Sequence, residues 1–199
     1  IGFDAKIGLT PSINLDITVN PDFAQVEVDR QVTNLTRFEL NFPEQRQFFI
    51  ENNDLFGSMG SFSILPFFSR RIGLSSENNS GINKKVPILG GLRLSGKLND
   101  KTRVGFMNMQ TAENVIDSLP SINYSIAKKK KKVGGGSNLN FLFVNKHSFL
   151  NEKSRNRLSA YNRVGGMEFN FVSKSNLLNG KVFAMQSWNK KKNNKIAHS

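Results

Sequence analysis

The sequence predicts an all-β protein that is built from consecutive antiparallel hairpins. Apolar and polar residues alternate with a period of two through most of the 199 residues, short turn signals separate the alternating stretches, and no helix-length periodicity lies between them. The pattern is clearest in VPILGGLRLSGKLNDKTRVGFMNMQ, from Val86 to Gln110. There the apolar residues share one parity, the charged residues share the other, and Leu98 to Lys101 forms a hairpin turn.

The first element is a hairpin at the N-terminal end. The stretch FDAKIGL, from Phe3 to Leu9, alternates between apolar and polar side chains, and INLDITV, from Ile13 to Val19, does the same. Pro11 lies between them, where its fixed φ and missing N–H favour a turn. The two strands therefore have one apolar face and one face of Asp, Lys and Asn.

A segment of different character follows, dense in Phe and in charged side chains from Asn20 to Asp54. Alternation at Val26 to Val28 predicts a short strand there. The spacing of apolar residues from Leu35 to Phe42 predicts a short helix that ends at Pro43. A segment of this composition is expected to fold inside the structure or to cap one end of it.

Further hairpins are predicted along the rest of the chain, which brings the total to about nine or ten strands. Besides Val86 to Gln110, the predicted strands are Ser61 to Leu74, Ile122 to Ile126, Leu139 to Phe143, Ser159 to Val172 and Lys181 to Trp188, with a loop at Ser75 to Lys85. The run Lys128 to Lys132 is interpreted as an exposed loop or an engineered stretch, and Gly134 to Gly136 as a flexible linker. The expected organisation is a first hairpin at residues 1–20, a signature segment at 21–60 and successive hairpins at 61–199.

The composition excludes several classes of protein. Cysteine is absent, which excludes disulfide frameworks, thiol nucleophiles and cysteine-based metal sites. No run approaches the roughly 18 to 20 apolar residues of a membrane-spanning helix, whereas a spanning strand needs only about 9 to 11 alternating residues. The chain starts at Ile1 without Met or a signal peptide, so we expect a mature or internal fragment.

The formal net charge is +13, from 28 Lys and Arg against 15 Asp and Glu. Such a balance is typical of nucleic-acid-binding proteins. Here, however, the basic residues are scattered through predicted strands, without a helix-turn-helix, zinc-finger or aromatic RNA-binding signature. We therefore expect no nucleic-acid partner. A basic lumen or rim that meets anionic lipid or glycan, or a merely solvated charged face, fits the distribution better.

Two architectures are compatible with the alternation, a soluble β-sandwich and a transmembrane β-barrel. A sandwich buries its apolar faces against each other, whereas a barrel turns its apolar face to lipid and tolerates mid-strand charge in a wet interior. Charge in mid-strand favours all or part of an antiparallel transmembrane β-barrel. The residues expected to face lipid include Ile13, Leu15, Ile17, Leu92, Leu94, Phe141 and Phe169, and those expected to face inward include Asp16, Arg93, Lys97 and Glu168.

A specific pattern lies in the segment between the first hairpins. NPDFAQVEVD at Asn20 to Asp29 and NLTRFELNFPEQRQFFIEN at Asn34 to Asn52 resemble the signature of an uncharacterised family of bacterial outer-membrane β-barrel domains, which usually follow a family-9-like carbohydrate-binding module. PFFSRRIG at Pro66 to Gly73 and GGLRLSGK at Gly90 to Lys97 are similar to that family too. The resemblance does not include the carbohydrate-binding module. The lysine and glycine runs of this sequence have no counterpart in the family pattern. The resemblance implies the outer membrane of a Gram-negative bacterium and no established activity.

The charged residues of this signature are the candidate site: Glu27, Asp29, Arg37, Glu39, Glu44, Arg46 and Glu51. Carboxylates and guanidinium groups can pair in a desolvated network, which fixes geometry more reliably than it adds stability. Three interpretations stay open: a structural plug or periplasmic turn, a site for a ligand or partner, and a pair of catalytic carboxylates. We predict no catalytic residue, metal site or cofactor, because there are only two histidines and no nucleophile elbow, P-loop or His-Glu-x-x-His motif.

Together these observations predict a non-enzymatic β-barrel protein of the cell outer membrane. Residues 21–60 would form a luminal plug or periplasmic turn, and the hairpins on either side would form the barrel wall. The expected role is a passage or docking subunit in glycan-related uptake or in an assembly of envelope proteins. Its expected partners are outer-membrane lipid, other envelope proteins and glycan. The alternative is a soluble carbohydrate-active or carbohydrate-binding β-protein, in which the Phe-rich faces form a dry core.

Overall fold

The computed structural model of the chain describes residues 2–21, 44–61, 64–75, 84–114, 119–150, 159–189 and 195–198. The strands in this part of the chain are β1 Phe3–Thr10, β2 Ile13–Val19, β3 Leu74–Ser75, β4 Lys84–Lys85, β5 Ile88–Asn99, β6 Thr102–Thr111, β7 Ile122–Gly134, β8 Ser137–Ser148, β9 Tyr161–Val172, β10 Asn179–Asn189 and β11 Lys195–His198. The helices are short: α1 Gln47–Ile50, α2 Asn53–Phe56 and a 3-10 helix at Ser69–Arg71. No helix in these ranges is long and apolar enough to cross a membrane.

Nine of the described strands form one sheet in the order β1-β2-β5-β6-β7-β8-β9-β10-β11, and β3 pairs with β4 in a separate two-stranded sheet. Every neighbouring pair in the large sheet is antiparallel. The predicted all-β class and the up-and-down hairpins are therefore confirmed. Over the described residues the sheet is open, with β1 and β11 at its two edges, so the predicted closure into a barrel is not part of this structure.

Residues 44–61 and 64–75, which we call the packed segment, lie against one face of the large sheet. Their buried side chains join a single core with side chains of the sheet: Phe49, Leu55, Phe56, Met59, Phe67 and Ile72 from the segment, and Ile88, Met107, Met109, Tyr124, Ile126, Leu142, Val144, Phe183 and Met185 from the sheet. Helix α2 approaches β6 closely at Gly105, where an added Cβ would lie 2.7 Å from Phe56 Cζ and 2.8 Å from Leu55 Cδ2. A side chain at that position would push the helix off the sheet.

The strand predicted from Ser61 to Leu74 is wrong. The described part of that range contains the 3-10 helix, and only Leu74 enters the short strand β3. Two glycines with positive φ, Gly60 at 97° and Gly73 at 84°, bend the chain at either side. The apolar residues Phe67 and Ile72 are buried in the core instead of alternating across a sheet. Tertiary packing has overridden the local pattern.

The loop predicted for the lysine run and the linker predicted for the glycine run are also wrong. Lys128 to Lys132 lie inside β7, paired with β6 and β8, and not in a loop. Lys128 is buried, whereas Lys129, Lys131 and Lys132 are exposed. Gly135 and Gly136 form the β7–β8 turn. Gly134, the last residue of β7, and Gly135 have φ of 109° and 55°, a conformation that favours glycine. The glycine run is therefore a tight hairpin turn and not a linker.

The sheet has two different faces, as the alternation predicts. The packed face, which contacts the packed segment, contains Asp16, Arg93 and Glu168, each no more than 6% exposed. The opposite face, here called the open face, contains the apolar rows, and Leu92, Phe141 and Phe169 are each 38% exposed. Lys97, near the β5–β6 turn, is exposed and not enclosed.

Candidate functional site

The structure divides the seven predicted site residues into three groups. Glu27, Asp29, Arg37 and Glu39 lie outside the described residues. Glu44 and Arg46 lie together at the start of the packed segment, whereas Glu51 follows α1 and belongs to a different network around Arg93. The single charged cluster that the sequence predicts is therefore at least two separate networks.

The first network is a bidentate pair between Arg46 and Glu44. Arg46 Nε donates to Glu44 Oε1 and Arg46 Nη2 donates to Glu44 Oε2, both at 2.8 Å. The same guanidinium donates to the carbonyl of Ile72 at 2.8 Å and to that of Ser69 at 2.9 Å. Ser69 Oγ adds a 2.6 Å hydrogen bond to Glu44 Oε2, and the ring of Phe49 lies 4.2 Å from Arg46 Cζ. The network ties the two ends of the packed segment together.

The ionisation of Glu44 is coupled to this geometry. Burial acts to raise the pKa of the Glu44 carboxyl. The hydrogen bonds and charge of Arg46, together with the Ser69 hydroxyl, lower this pKa by more than burial raises it, so the net shift is downward from 4.5. Only the charged carboxylate can accept both Arg46 hydrogen bonds. The network is therefore built for an ionised Glu44.

Acid should release the packed segment through this pair. A lowered carboxyl pKa stabilises the fold fully above the ordinary value of 4.5, and that contribution is lost as the pH falls through the lowered pKa. After correction for the intrinsic pH dependence of amide exchange, we expect the protection of the Ile72 and Gly73 amides, measured by mass spectrometry, to fall below about pH 4.5 in the wild type. The Glu44→Gln variant should exchange faster at neutral pH and lose most of this acid dependence. An unchanged acid profile in Glu44→Gln would show that another group controls it.

The second network surrounds Arg93, which is 1% exposed in the middle of β5. Its Nε and Nη2 donate to Asp16 Oδ2 at 3.0 and 2.8 Å, and Asp16 lies directly opposite on β2. Nη2 also reaches Glu51 Oε2 at 3.1 Å, while Nη1 donates to the carbonyls of Phe48 and Glu51. Arg93 therefore joins two strands of the sheet to the end of α1.

Lys6 extends this network to the edge strand β1. Its Nζ donates to Glu51 Oε2 at 2.8 Å and lies 3.8 Å from Asp16 Oδ1. The hydrogen bond from Lys6 is the main reason that the pKa of Glu51 is lowered; burial opposes it, and the charges of Lys6 and Arg93 lower the pKa further. Glu51 is thus an ionised bridge between the packed segment and strands β1 and β5.

The third network is centred on Glu168 of β9, a residue outside the predicted site. Its Oε2 accepts the backbone N–H of Gly60 at 2.8 Å and lies 3.5 Å from Lys181 Nζ, which itself donates to the carbonyl of Gly60 at 3.0 Å. Its Oε1 accepts hydrogen bonds from Asn140 and Asn170. The carboxylate and the ammonium group together hold both polar backbone atoms of Gly60.

Two buried polar atoms lie next to this third network. Lys128 Nζ and Asn140 Oδ1 have no hydrogen-bond partner among the described residues, and Lys128 is 3% exposed. Asn140 pairs directly with Glu168 across β8 and β9, and Lys128 lies one diagonal step further along the packed face. This end of the packed face is therefore the most polar part of the boundary between segment and sheet.

The three networks do the same physical work, which is to dock the packed segment onto the sheet. Each one joins a carboxylate to a cation or amide and satisfies backbone groups of the segment that packing would otherwise leave without partners. Within the described ranges, no three His, Asp or Glu side chains are grouped so that they could hold a metal ion. The geometry fits the structural interpretation of Glu44, Arg46 and Glu51.

Sequence reasoning placed Asp16, Arg93 and Glu168 on the inward side but left them out of the site. Their signal was charge in mid-strand, opposite an apolar parity. The residues Lys6, Ser69, Asn140, Lys181 and Gly60 were missed, since nothing in their local sequence distinguishes them from solvated strand or loop positions. Only the fold brings them to the packed segment.

One family profile, described as a domain of unknown function (DUF5916), matches residues 1–198 of the chain. No curated protein and no solved structure matches it.

Proposed function

Because the chain belongs to this family, DUF5916, whose function is unknown, we propose a role from the structure and from the sequence resemblance described above: it forms all or part of the wall of an outer-membrane β-barrel, and the packed segment is a plug on its inner side. The open face would meet lipid and the packed face would line the interior. The proposed role is non-enzymatic, as a passage or docking subunit in glycan-related uptake or in an assembly of envelope proteins. The observation that carries the proposal is the band of exposed apolar side chains on the open face.

This apolar band runs over the open face of strands on both sides of the sheet. Its members on the described strands include Phe3, Ile7, Leu9, Val19, Leu92, Phe106, Phe141, Phe143, Met167, Phe169, Phe171 and Val182, each between 38% and 65% exposed. A water-soluble monomer rarely exposes a continuous apolar surface of this kind. Against hydrocarbon, the same side chains would be stabilised.

The border of the band moves steadily along the strands. On β1 and β2 it already includes the paired residues Phe3 and Val19. In the same cross-strand row β6 carries Gln110, and apolar residues there begin only at Phe106. On β10, where Trp188 and Gln186 come first, uninterrupted apolar residues begin at Ala184, a row six residues further along β5. The band is therefore oblique to the hydrogen-bonded rows.

A tilted sheet that crosses a flat apolar layer gives this oblique pattern. A shift of six residues over the seven strand steps from β1 to β10 corresponds to roughly 30° between the strands and the normal of the layer, from rises of about 3.3 Å per residue and spacings of about 4.8 Å. Strands of transmembrane barrels tilt by about 35–45°. The apolar pattern thus supports tilted strands in a membrane, whereas a packed sandwich would need no flat border.

Polar and aromatic side chains mark the border on β6 to β10. Asn108, Asn123 and Ser125 hydrogen-bond to one another on the open face. Further along, the ring of Tyr161 lies 4.7 Å from the guanidinium of Arg163. Amphipathic aromatic and basic side chains of this kind suit the headgroup level of a membrane. This composition supports a boundary between hydrocarbon and water at these rows.

Two lysines of β7, Lys129 and Lys131, interrupt the band towards the β7–β8 turn. They flank the turn end of the sheet, and a lysine can lay its aliphatic stem on apolar neighbours while its ammonium group reaches the polar layer. The neighbours Val104 and Phe141 are apolar, which provides that surface for Lys129.

Contacts of the packed segment support its role as a plug. Strand β1 reaches it through Lys6 and Glu51, and strand β10 reaches it through Lys181 and Gly60, so strands near both edges of the sheet meet one short segment. A wall that encloses a plug would make such contacts. The unpaired edges of β1 and β11 would then be completed by further strands, because open edges are not tolerated in hydrocarbon.

Fractionation of cells that make the full-length protein tests this proposal. We expect the protein in the outer-membrane fraction, extracted only by detergent, and folded protein that migrates differently from boiled protein in SDS gels. A periplasmic protein with known solubility serves as the fractionation control. Recovery of folded, monodisperse protein in buffer without detergent would reject the barrel. It would favour the alternative, a soluble carbohydrate-active or carbohydrate-binding protein.

A further inference from the structure

We propose that the turn end of strands β5, β6 and β7 is a binding surface for the phosphate groups of anionic lipid headgroups. The surface, here called the basic rim, consists of Lys97, Lys101, Arg103, Lys129, Lys130, Lys131 and Lys132. The inference rests on the proposed membrane location and extends it, because it names the lipid chemistry that one border of the apolar band would select.

The fold brings these cations together from two distant parts of the sequence. Arg103 lies directly opposite Lys97 on one side and Lys130 on the other, which makes a row of three like charges on the parity of the packed face, whereas Lys129 and Lys131 lie on the open face. Lys132 donates its backbone N–H to the carbonyl of Lys101 at 2.7 Å, which holds the β5–β6 turn against β7. Strands are about 4.8 Å apart, so the whole cluster is confined to a patch about 10 Å across the sheet.

Almost none of this charge is neutralised by the protein. Arg103 pairs with Asp54 at 2.6 Å, but the six lysines form no ion pair with any residue that the structure describes. In residues 97–103 and 128–136, Asp100 is the one carboxylate. Like charges directly opposite each other on a sheet are destabilising. An external anion would relieve that repulsion, whereas Arg46, Arg93 and Lys181 of the three docking networks already have carboxylate partners.

The shape of the turn also suits a small anionic group. A surface pocket of about 380 Å³ is lined by Asn99, Asp100, Lys101, Thr102 and Lys131. Lys101 of the β5–β6 turn and Lys131 of β7 therefore both border it, together with the Asp100 carboxylate. A phosphate monoester or diester could accept hydrogen bonds from both lysines, and lysine binds phosphate as a point charge.

The position of the rim favours a lipid over a nucleic acid. Exposed apolar residues adjoin it, with Leu98 58% exposed and Val133 57% exposed, and the apolar band begins directly beyond them. A lipid headgroup places its phosphate next to hydrocarbon, and here a basic surface lies next to an apolar one in the same way. Each basic residue near an anionic membrane surface adds to the attraction, so several together give a strong preference.

The test compares lipid retention by three forms of the full chain in mild detergent. Native mass spectrometry counts bound phosphatidylglycerol and bound phosphatidylcholine on the wild type, on K101Q/K129Q/K131Q/K132Q and on K101R/K129R/K131R/K132R. We expect the wild type to retain phosphatidylglycerol severalfold over phosphatidylcholine, the Gln variant to bind it at least about tenfold more weakly, and the Arg variant to match the wild type. Circular dichroism checks that all three are folded.

Equal retention of both lipids by the wild type, or equal retention of phosphatidylglycerol by the wild type and the Gln variant, would overturn the basic rim. So would tight binding of a DNA duplex at physiological salt that the Gln variant loses, in the absence of any lipid preference. If the protein needs no detergent, the same comparison is made by co-sedimentation with phosphatidylcholine vesicles with and without phosphatidylglycerol. The membrane location and the basic rim can therefore fail separately.

Discussion

Replacing Arg93 by Met should destabilise the protein by about 3–5 kcal/mol, the largest effect we expect from a single substitution. Arg93 is 1% exposed and is the main partner of Asp16, which is 6% exposed. Removing the guanidinium leaves a buried carboxylate without its cation and leaves the carbonyls of Phe48 and Glu51 without their donor. Equilibrium unfolding in urea, read by tryptophan fluorescence, measures the loss.

Two further variants separate charge burial from simple loss of a side chain. Arg103→Met removes an ion pair of the same type, but its partner Asp54 is 63% exposed, so we expect less than about 1 kcal/mol. Adding Asp16→Leu to Arg93→Met should restore part of the lost stability, because it removes the unpaired charge. If Arg93→Met costs no more than Arg103→Met, the Arg93 network does not hold the packed segment.

The second large effect is expected from Leu94→Arg on the open face. Leu94 lies in the central row of the apolar band, between Leu15 on β2 and Phe106 on β6. In a lipid-facing position near the bilayer midplane, an arginine costs about 2–4 kcal/mol. Folding into phosphatidylcholine vesicles, followed by the gel shift of folded protein across a urea series, measures this cost.

A matched control lies on the same strand and the same parity. Leu98 is 58% exposed next to the basic rim, at the edge of the proposed membrane layer, so Leu98→Arg should cost about 0–1 kcal/mol. The difference between the two variants reports depth in the membrane, since both add the same side chain to the same strand. A negligible cost for Leu94→Arg, equal to that for Leu98→Arg, would mean that the open face meets water.

Much of the fold could be predicted from local sequence because strand side chains alternate. The period-two pattern located β1, β2, β5, β6 and the later hairpins, and it assigned Asp16, Arg93 and Glu168 to the face opposite the apolar residues. Antiparallel hairpins follow from short turns between such strands, so neighbour relations in the sheet were predictable as well. A few adjacent residues are enough to specify each of these features.

The candidate site could be predicted only in part. A charged segment rich in Phe was expected to be packed, and the described part of it, with Glu44, Arg46 and Glu51, is. Its partners could not be found, because the contact between Glu51 and Arg93 joins residues 42 positions apart and that between Gly60 and Glu168 joins residues 108 positions apart. No local pattern specifies such distant pairs.

For the lysine run, local sequence predicts the wrong conformation. Five consecutive lysines suggest a solvated loop when the sequence is considered alone, since like charges repel. In the structure they complete β7, because β6 and β8 provide hydrogen-bonding partners on both sides. The pairing of neighbouring strands decided the conformation against the local preference.

The sequence by itself determined the class of fold, the two faces of the sheet and the order of its hairpins, because alternation is a short-range property of the backbone. Tertiary structure alone decided that residues 64–74 bend into the core, that three ionic networks dock the packed segment, and that seven cations meet at one end of the sheet. These outcomes depend on burial and on charge pairing between residues far apart in the chain, and both exist only after the sheet has formed.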